Sequence, residues 1–504
     1  MKSLLEIINS KQFSIDVYEL YVEKKGLKSV WKDIINYLDK NGIDLFSKNI
    51  VDFYDIGRLY EIGLAKENKF DKKDSGKYYT PIDVSTLMAE MLLEDEKIDN
   101  ISDVACGCGN LIIEVLKILK QKSLDEFNNT IRNIHLYDID SIALEICTSR
   151  ISALFGINKS ILNRHKGDFL SKNIKLSKGS YVISNPPYSQ IKEIEANWSY
   201  KKSISESKDL YVGFIDKIIN QSKKAVIISP QSYIVGNKFS LIRKQLFKKG
   251  NGEIYSFDNV PGTIFNGKKE GIFNTNTANG VRASILVFNS SLDLNGYRLT
   301  HLIRFKTSER KEVLSLNYLK MQLGNRRQNL TLPLKCYVEL EEFVMNVVNN
   351  STIPIESLTS SAETLYPIYI NSSARYFIVG SKKRMERNGI FKLYAKDLNS
   401  FYLLYALLNS SYCYLWWRML DGGILVPKNL LLSIPIPSTL ILDQNAVAFV
   451  KYLIEHENDY LVYKKNAGVY QESIKFPPSD RDELNELLFG DVNFSILHMN
   501  GEEI

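Results

Sequence analysis

The chain has 504 residues, with 64 Lys and Arg against 58 Asp and Glu, and is 44% hydrophobic and 24% charged. It is longer than one hydrophobic core usually serves and ordinary in composition for a globular protein, so two domains with appendages are expected. No apolar run is long enough to span a bilayer. The opening "MKSLLEIINSKQF" has neither the long apolar segment nor the small-residue cleavage site of a signal peptide, so a cytoplasmic location without membrane attachment is expected. The net charge of +6 is mild. It favours a polyanion only where basic residues cluster, as in "KFSLIRKQLFKKG" (238–250), "NGKKEG" (266–271) and "SKKRMERNG" (381–389), and each of these also reads as an ordinary solvated stretch. Cysteines at 106, 108, 147, 336 and 413 are odd in number and dispersed, which argues against a disulfide framework. Cys106 and Cys108 have no second Cys or His pair at zinc spacing, so both read as packing residues and no metal is expected.

In chain order, residues 1–70 carry helix-like apolar spacing, as in "VWKDIINYLDK" and "YDIGRLYEIGLA". The polar stretch "KENKFDKKDSGK" reads as a linker. From 71 to 295, strand-like runs ("NISDVAC", "IHLYDID", "YVISNPP", "KAVIISP", "SILVFN") alternate with amphipathic stretches such as "NLIIEVLKILKQ" and "YVGFIDKIINQSKK". This rhythm predicts an α/β fold, a doubly wound and mostly parallel sheet with helices on both faces. Residues 296–440 then mix strand-like pieces ("GYRLTHLIRF", "YPIYIN", "YFIVG") with helical ones ("DLNSFYLLYALLNSSYCYLWWRM"), an α+β pattern. Residues 441–504 read as a helical tail around "NAVAFVKYLIEHENDYLVYKK", with a further helix starting near Ser479 behind Pro477 and Pro478.

Two stretches carry chemistry. "DVACGCGN" begins at Asp103 after a predicted strand and opens a predicted helix. Gly107 and Gly109 permit a tight turn and close approach of a ligand to the backbone. The next strand, "HLYDID", ends in Asp138, Ile139 and Asp140, and an acid there can accept from ribose hydroxyls. The third glycine of a G-x-G-x-x-G fingerprint is missing, so the turn suits a nucleoside with an amino-acid tail better than a pyrophosphate; alone, it also fits a plain strand–helix connection.

The second stretch is "YVISNPPY", a β-branched and aromatic strand that stops on Asn185, Pro186, Pro187 and Tyr188. At the carboxyl end of a sheet strand these residues face the binding crevice. The Asn185 amide oxygen and the Pro186 carbonyl are two rigid acceptors able to take hydrogen bonds from an exocyclic –NH₂ group. They favour the pyramidal amine, whose lone pair is then free to attack a methyl sulfonium. Tyr188 is placed to stack on the base carrying that amine, which must be flipped out of a duplex. A rigid turn at a strand end is the bland alternative.

Together these residues resemble the amino-group DNA methyltransferases, specifically N6-adenine enzymes in which the cofactor motif precedes the catalytic motif and a target-recognition domain follows. The resemblance covers about residues 55–440 and implies a Rossmann-like methyltransferase domain over 71–295 and a target-recognition domain over 296–440. By it, Tyr79, Thr80 and Pro81 of "GKYYTP" close over the methionine end of S-adenosyl-L-methionine. Asp103, Ala105, Gly107 and Gly109 form the cofactor loop, Asp138 with Ile139 meets the ribose, and Asp168 with Phe169 of "GDFL" holds the adenine. "NPPY" matches the catalytic motif at all four positions, whereas Val104 stands where the family usually has proline. The long Asn-rich stretch 259–288 replaces a short connection; it reads equally as a DNA-contacting loop, with Lys268, Lys269 and Arg282 on phosphates, or as an inert surface loop.

The implied activity is methylation of adenine N6 in double-stranded DNA within a restriction–modification system, by a monomer or homodimer, with a cognate restriction enzyme as a possible partner. Three alternatives compete with it: methylation of RNA or of a protein glutamine, a modification subunit needing a separate specificity partner, and a catalytically silent DNA-binding subunit. The long C-terminal region and "GKYYTP" disfavour the first, and the intact cofactor motif disfavours the last. Asp16, Glu23 and Lys25 nominally match a nuclease pattern but lie in helix-like sequence, so cleavage is not expected.

Overall fold

The computed structural model describes residues 14–41, 56–67, 79–94, 97–177, 179–265, 281–291, 296–327, 335–351, 353–374, 377–423, 425–466 and 469–497. The chain divides into two compact units, Met1–Leu299 with Ile303–Leu330, and Thr300–Leu302 with Thr331–Ile504.

The main sheet uses strands β1 (Ile101–Asp103), β2 (Ile134–Asp138), β3 (Asn163–Lys166), β4 (Ser180–Ser184), β5 (Ser222–Pro230), β6 (Asn251–Phe257), β7 (Ala283–Asn289) and β8 (Gly296–Ile303). Their order is β3-β2-β1-β4-β5-β7-β6-β8. β1 pairs in parallel with β2 and β4, β2 with β3, and β4 with β5, whereas β7 runs antiparallel to both β5 and β6. The strand order therefore reverses between β1 and β4, and in an open α/β sheet that switch point is where ligands bind, beyond the carboxyl ends of the strands.

Both faces of the sheet are covered. Tyr181, Ile183, Val226, Ile228 and Ile285 lie in one core with helices α4 (Ile82–Leu92), α5 (Asn110–Lys122) and α6 (Leu124–Ile131), numbering from the three N-terminal helices α1 (Ile15–Lys25), α2 (Leu27–Asn41) and α3 (Ile56–Glu67). The alternate residues Val182, Ile227 and Leu286 are fully buried too. Side chains alternate faces along a strand, so burial of both sets requires a second covering layer, and that is why these strands read as unbroken apolar runs. β3 ("NRHK") and β6 ("NGEIYSF") carry no such run; β3 alternates half-buried and exposed residues at the sheet edge.

The N-terminal helices pack on α7 (Ser141–Phe155), where Tyr18, Trp31, Ile56 and Tyr60 share a core with Ala143 and Ile146. Trp31 donates through Nε1 to the Tyr18 hydroxyl at 2.8 Å and meets Tyr60 edge to face. Beyond residue 295, β8 extends the sheet and Val313, Leu314, Leu319 and Leu323 join its core, so the first unit continues to about residue 330.

In the second unit β9 (Thr359–Ser360), β10 (Pro367–Asn371), β11 (Gly380–Ser381) and β12 (Ile390–Ala395) form a small sheet in the order β11-β10-β12-β9. A single core joins Val344 and Leu404 to Leu453, Leu484 and Phe494, so residues 441–504 pack with those before them. The helical reading of that tail meets an exception: between helices Gln444–Glu455 and Pro478–Phe489, β13 (Leu461–Asn466) and β14 (Val469–Ile474) make an antiparallel hairpin. The β-branched and aromatic residues of "LVY" and the "NAG" turn signal outweigh the helical spacing there. No helix among the described residues is long and apolar enough to cross a membrane.

Candidate active site

A cavity of about 390 Å³ opens where the sheet switches, lined by the ends of β1, β2 and β4 and by α3. Its floor is the glycine turn. Gly107 (φ +50°) and Gly109 (φ +90°) take up the left-handed region, and a Cβ on Gly109 would sit 2.6 Å from the Cys147 sulfur, so this position admits only glycine. The buried Arg150 braces the turn by donating to the Cys108 carbonyl and, at 2.8 Å, to Asn110 Oδ1.

Asp138 organises the same turn from the side. One carboxylate oxygen accepts from the Gly107 N–H and the other from the Asp140 N–H, both at 2.8 Å. Asp140 in turn caps α7 through Ile142 and Ala143 N–H and accepts from the Tyr60 hydroxyl at 2.9 Å. Asp103, at the end of β1, is fully buried; its Oδ1 accepts from Ala105 N–H at 3.3 Å, while Oδ2 meets no hydrogen-bond partner among the described residues. Burial raises its pKa to about 8; the Ala105 donor lowers it, and the nearby Asp138 adds to the rise.

At the far wall, Asp168 accepts from Leu170 N–H at 2.9 Å and from the Trp198 indole. Phe169 is buried between the rings of Tyr137 and Phe214. Lys217, itself buried, donates to the Phe169 and Ser171 carbonyls and so fixes the loop that carries Asp168.

Asn185 and Pro186 close the cavity beside this loop. β4 ends because Pro186 and Pro187 have no N–H to continue a ladder. The Asn185 amide donates to Thr80 Oγ1 at 2.9 Å, and the Thr80 carbonyl accepts from Asn110 Nδ2 at 3.0 Å. Thr80 thus ties the start of α4, the glycine turn and the strand-end asparagine together. With its nitrogen turned to Thr80, the amide's remaining group is an acceptor.

The lining has one electrostatic character. Glu61, Asp138, Asp140, Asp168 and Glu195 contribute carboxylates, and no Lys, Arg or His is among the described lining residues. Such a cavity repels phosphates and favours a cation. Among the described residues, no group of His, Cys, Asp and Glu is arranged to hold a metal ion.

Residues 52–295 match the N-6 DNA Methylase family. The type I restriction enzyme MpnII methylase subunit of Mycoplasma pneumoniae is 29% identical over 31% of this chain and 30% of its own length. The type II methyltransferase M.VspI of a Vibrio species is 29% identical over 31% of this chain and 36% of its own. The EcoEI methylase subunit of Escherichia coli is 24% identical over 57% and 59%. The chain thus spans about a third of the length of the first two of these relatives.

Within the matched stretch, Tyr79, Thr80, Ala105, Gly107, Asp138, Ile139, Asp168, Phe169, Asn185, Pro186 and Pro187 all line the cavity, whereas Pro81, Asp103 and Gly109 are not among its lining residues. Tyr188 lies outside it. Its hydroxyl donates to the Ile228 carbonyl at 3.3 Å, and its ring meets Tyr211 and Phe265 edge to face. Arg282 donates through Nε to Asp258 at 2.8 Å, and Arg304 to the same fully buried carboxylate at 2.9 Å. That charge is taken up internally, so its placement lends no support to a phosphate contact; Lys268 and Lys269 lie outside the described residues, as do Gly76, Lys77 and Tyr78 of "GKYYTP".

Sequence reasoning missed Gly57, Tyr60, Glu61 and Leu64 of α3, and Glu195 and Trp198 after the "NPPY" stretch, all of which line the cavity. Gly57 carried a usable signal, a glycine inside a helical pattern; in the structure a Cβ there would meet the Tyr79 ring at 2.6 Å. Nothing local marks Trp198.

Proposed function

We propose that this protein transfers a methyl group from S-adenosyl-L-methionine to N6 of adenine in double-stranded DNA. The observation that carries the reading is the pairing of the Asn185 and Pro186 acceptors with an adjoining cavity whose charged groups are all acidic. S-Adenosyl-L-methionine fits that cavity on charge, since it bears an ammonium and a sulfonium and no phosphate, and when bound it supplies the methyl group. Asp138 meets the ribose and Asp168 the adenine amino group, while Asp103, buried at the end of β1 and outside the lining, adds a carboxyl whose charge the ammonium favours from across the glycine turn.

At the target, the Asn185 oxygen and the Pro186 carbonyl accept from the adenine –NH₂ and hold its lone pair toward the methyl carbon. With S-adenosyl-L-methionine bound, the N–C bond would form as the C–S bond broke, the electron pair would pass to sulfur, and the extra amine proton would leave to solvent afterwards. Preorganised acceptors stabilise the positive charge that builds on nitrogen without removing a proton first. Tyr188 stacks on the flipped base, with Tyr211 and Phe265 fixing its ring. The protein works in the cytoplasm beside a restriction enzyme of matching specificity.

Asp103 gives this reading a pH signature. Below pH 8 its buried carboxyl holds a proton that the arriving ammonium displaces. Cofactor affinity should therefore rise with pH, by up to about tenfold per unit for one released proton, until the cofactor's own α-ammonium begins to lose its proton near 8. Calorimetric titration in buffers of different ionisation enthalpy checks this, and Asp103→Asn should abolish the proton release.

The deciding experiment is transfer of tritiated methyl by the purified chain to duplex DNA, RNA and protein, followed by nucleoside analysis. N6-Methyladenine in DNA is the expected product. Label in RNA or protein alone overturns the reading. Transfer to DNA only after adding a second subunit would fit the relatives whose names mark them as methylase subunits.

A further inference from the structure

The basic stretch at 381–389 and the β13–β14 hairpin are far apart in sequence, and the fold joins them. Arg387 donates to the Glu472 carbonyl and to Ser473 Oγ, Glu386 N–H donates to the Glu472 carboxylate at 2.7 Å, and Glu472 N–H donates to the Glu386 carbonyl at 3.0 Å. Beneath them, the Glu457 carboxylate receives the N–H groups of Lys382 and Lys383 at 2.7 and 3.1 Å. A buried acid thus takes two backbone donors and, at 3.0 Å, the Tyr405 hydroxyl, while Lys382, Lys383 and Arg384 are exposed.

Charge is concentrated here. Residues 382–387 and 461–475 together hold seven basic and two acidic residues, against a whole-chain excess of +6. Apolar rings are concentrated here as well. Tyr463 and Tyr470 are 63% and 67% exposed, on the face of the hairpin that also carries Lys465, whose ammonium lies 5.7 Å from the Tyr470 ring centroid. The cross-strand Lys465–Tyr470 pair contributes at most about 1 kcal/mol to the hairpin, and both rings remain largely open to solvent. Cations and rings on a two-stranded ribbon suit a polyanion with stackable or methyl-bearing groups, and a two-stranded ribbon fits the major groove of B-form DNA.

We propose that the β13–β14 hairpin and the 382–387 segment form a duplex-DNA contact surface in the second unit, Lys382, Lys383, Arg384 and Lys465 meeting phosphates and Tyr463 and Tyr470 entering a groove. This deepens the proposed DNA methylation and rests on it for the choice of polyanion. It also places the contact in a stretch that reads from sequence as part of a helical tail.

The test compares three full-length proteins: wild type, the charge variant K382S/K383S/R384S/K465S, and the ring variant Y463S/Y470S. Duplex-DNA affinity is measured from 50 to 300 mM salt, with S-adenosylmethionine binding and thermal unfolding as controls. The charge variant should bind DNA at least tenfold more weakly, with a salt slope reduced by about 0.9 for each phosphate that is no longer neutralised. The ring variant should weaken binding at an unchanged slope, and both should keep wild-type cofactor affinity. Unaltered affinity and slope in both variants, with methyl transfer to DNA intact, overturns the surface and leaves the activity standing. Loss of DNA binding in the variants, with methyl transfer by wild type to RNA or protein alone, supports the surface and overturns the activity. A wild-type protein that binds no duplex at all overturns both.

Discussion

Asn185→Ala should lower turnover by at least about 10²–10³-fold, the scale seen when one preorganised polar group is removed from a transition state. Affinity for S-adenosylmethionine should stay near that of wild type. The residue stands at the end of β4 and lines the cavity, and its side-chain amide donates to Thr80 Oγ1 at 2.9 Å. Removing the side chain leaves Pro186 as the sole rigid acceptor for the amine. The Thr80 carbonyl keeps its bond from Asn110, so the wall of the cavity persists. Single-turnover methylation alongside calorimetric cofactor binding separates the two effects. Near-normal turnover in this variant would sink the mechanism, and equal losses of turnover and cofactor affinity would recast Asn185 as a cofactor ligand.

Asp138→Asn should act on the other half of the site, weakening cofactor binding by about 10–100-fold. The carboxylate accepts two backbone N–H groups at once, Gly107 on one oxygen and Asp140 on the other. An asparagine has a single acceptor oxygen, so one N–H would face an amide –NH₂. One charge-assisted bond is lost, worth about 1.5–3 kcal/mol, and a donor–donor contact replaces it. The glycine turn then loses the partner that sets its conformation. The cap of α7 belongs to Asp140 and survives, so the melting temperature should fall little. Wild-type affinity in this variant would remove Asp138 from the cofactor site.

The parts of the site that were legible in sequence are those whose function needs residues close together in the chain. "DVACGCGN" and "NPPY" each build a strand end and a turn from consecutive positions, and the structure brings both to one switch point in the sheet. Tyr60, Glu61, Glu195 and Trp198 were not legible. They enter the wall from a helix docked on α7 and from a connection after the catalytic motif, and tertiary packing alone decides that they do. Arg282 shows the converse failure. Its charge beside an Asn-rich stretch suggested a phosphate contact, but pairing with buried Asp258 cannot be read from residues 24 positions apart. β3 and β6 escaped for a simpler reason: strands that take their place through backbone pairing need no apolar run to announce them.

The acid-lined cavity also bears on how such a protein works in a crowded cell. ATP and nicotinamide dinucleotides share an adenosine with S-adenosylmethionine and would fit the same ribose and adenine contacts. A steric filter would have to act on the tail alone. Carboxylates from Glu61, Asp138, Asp140, Asp168 and Glu195 instead turn away any adenosine that arrives with phosphates, before its shape is tested. Methylation would then track the supply of methyl donor rather than the energy charge of the cell, and DNA marking would continue through swings in nucleotide pools.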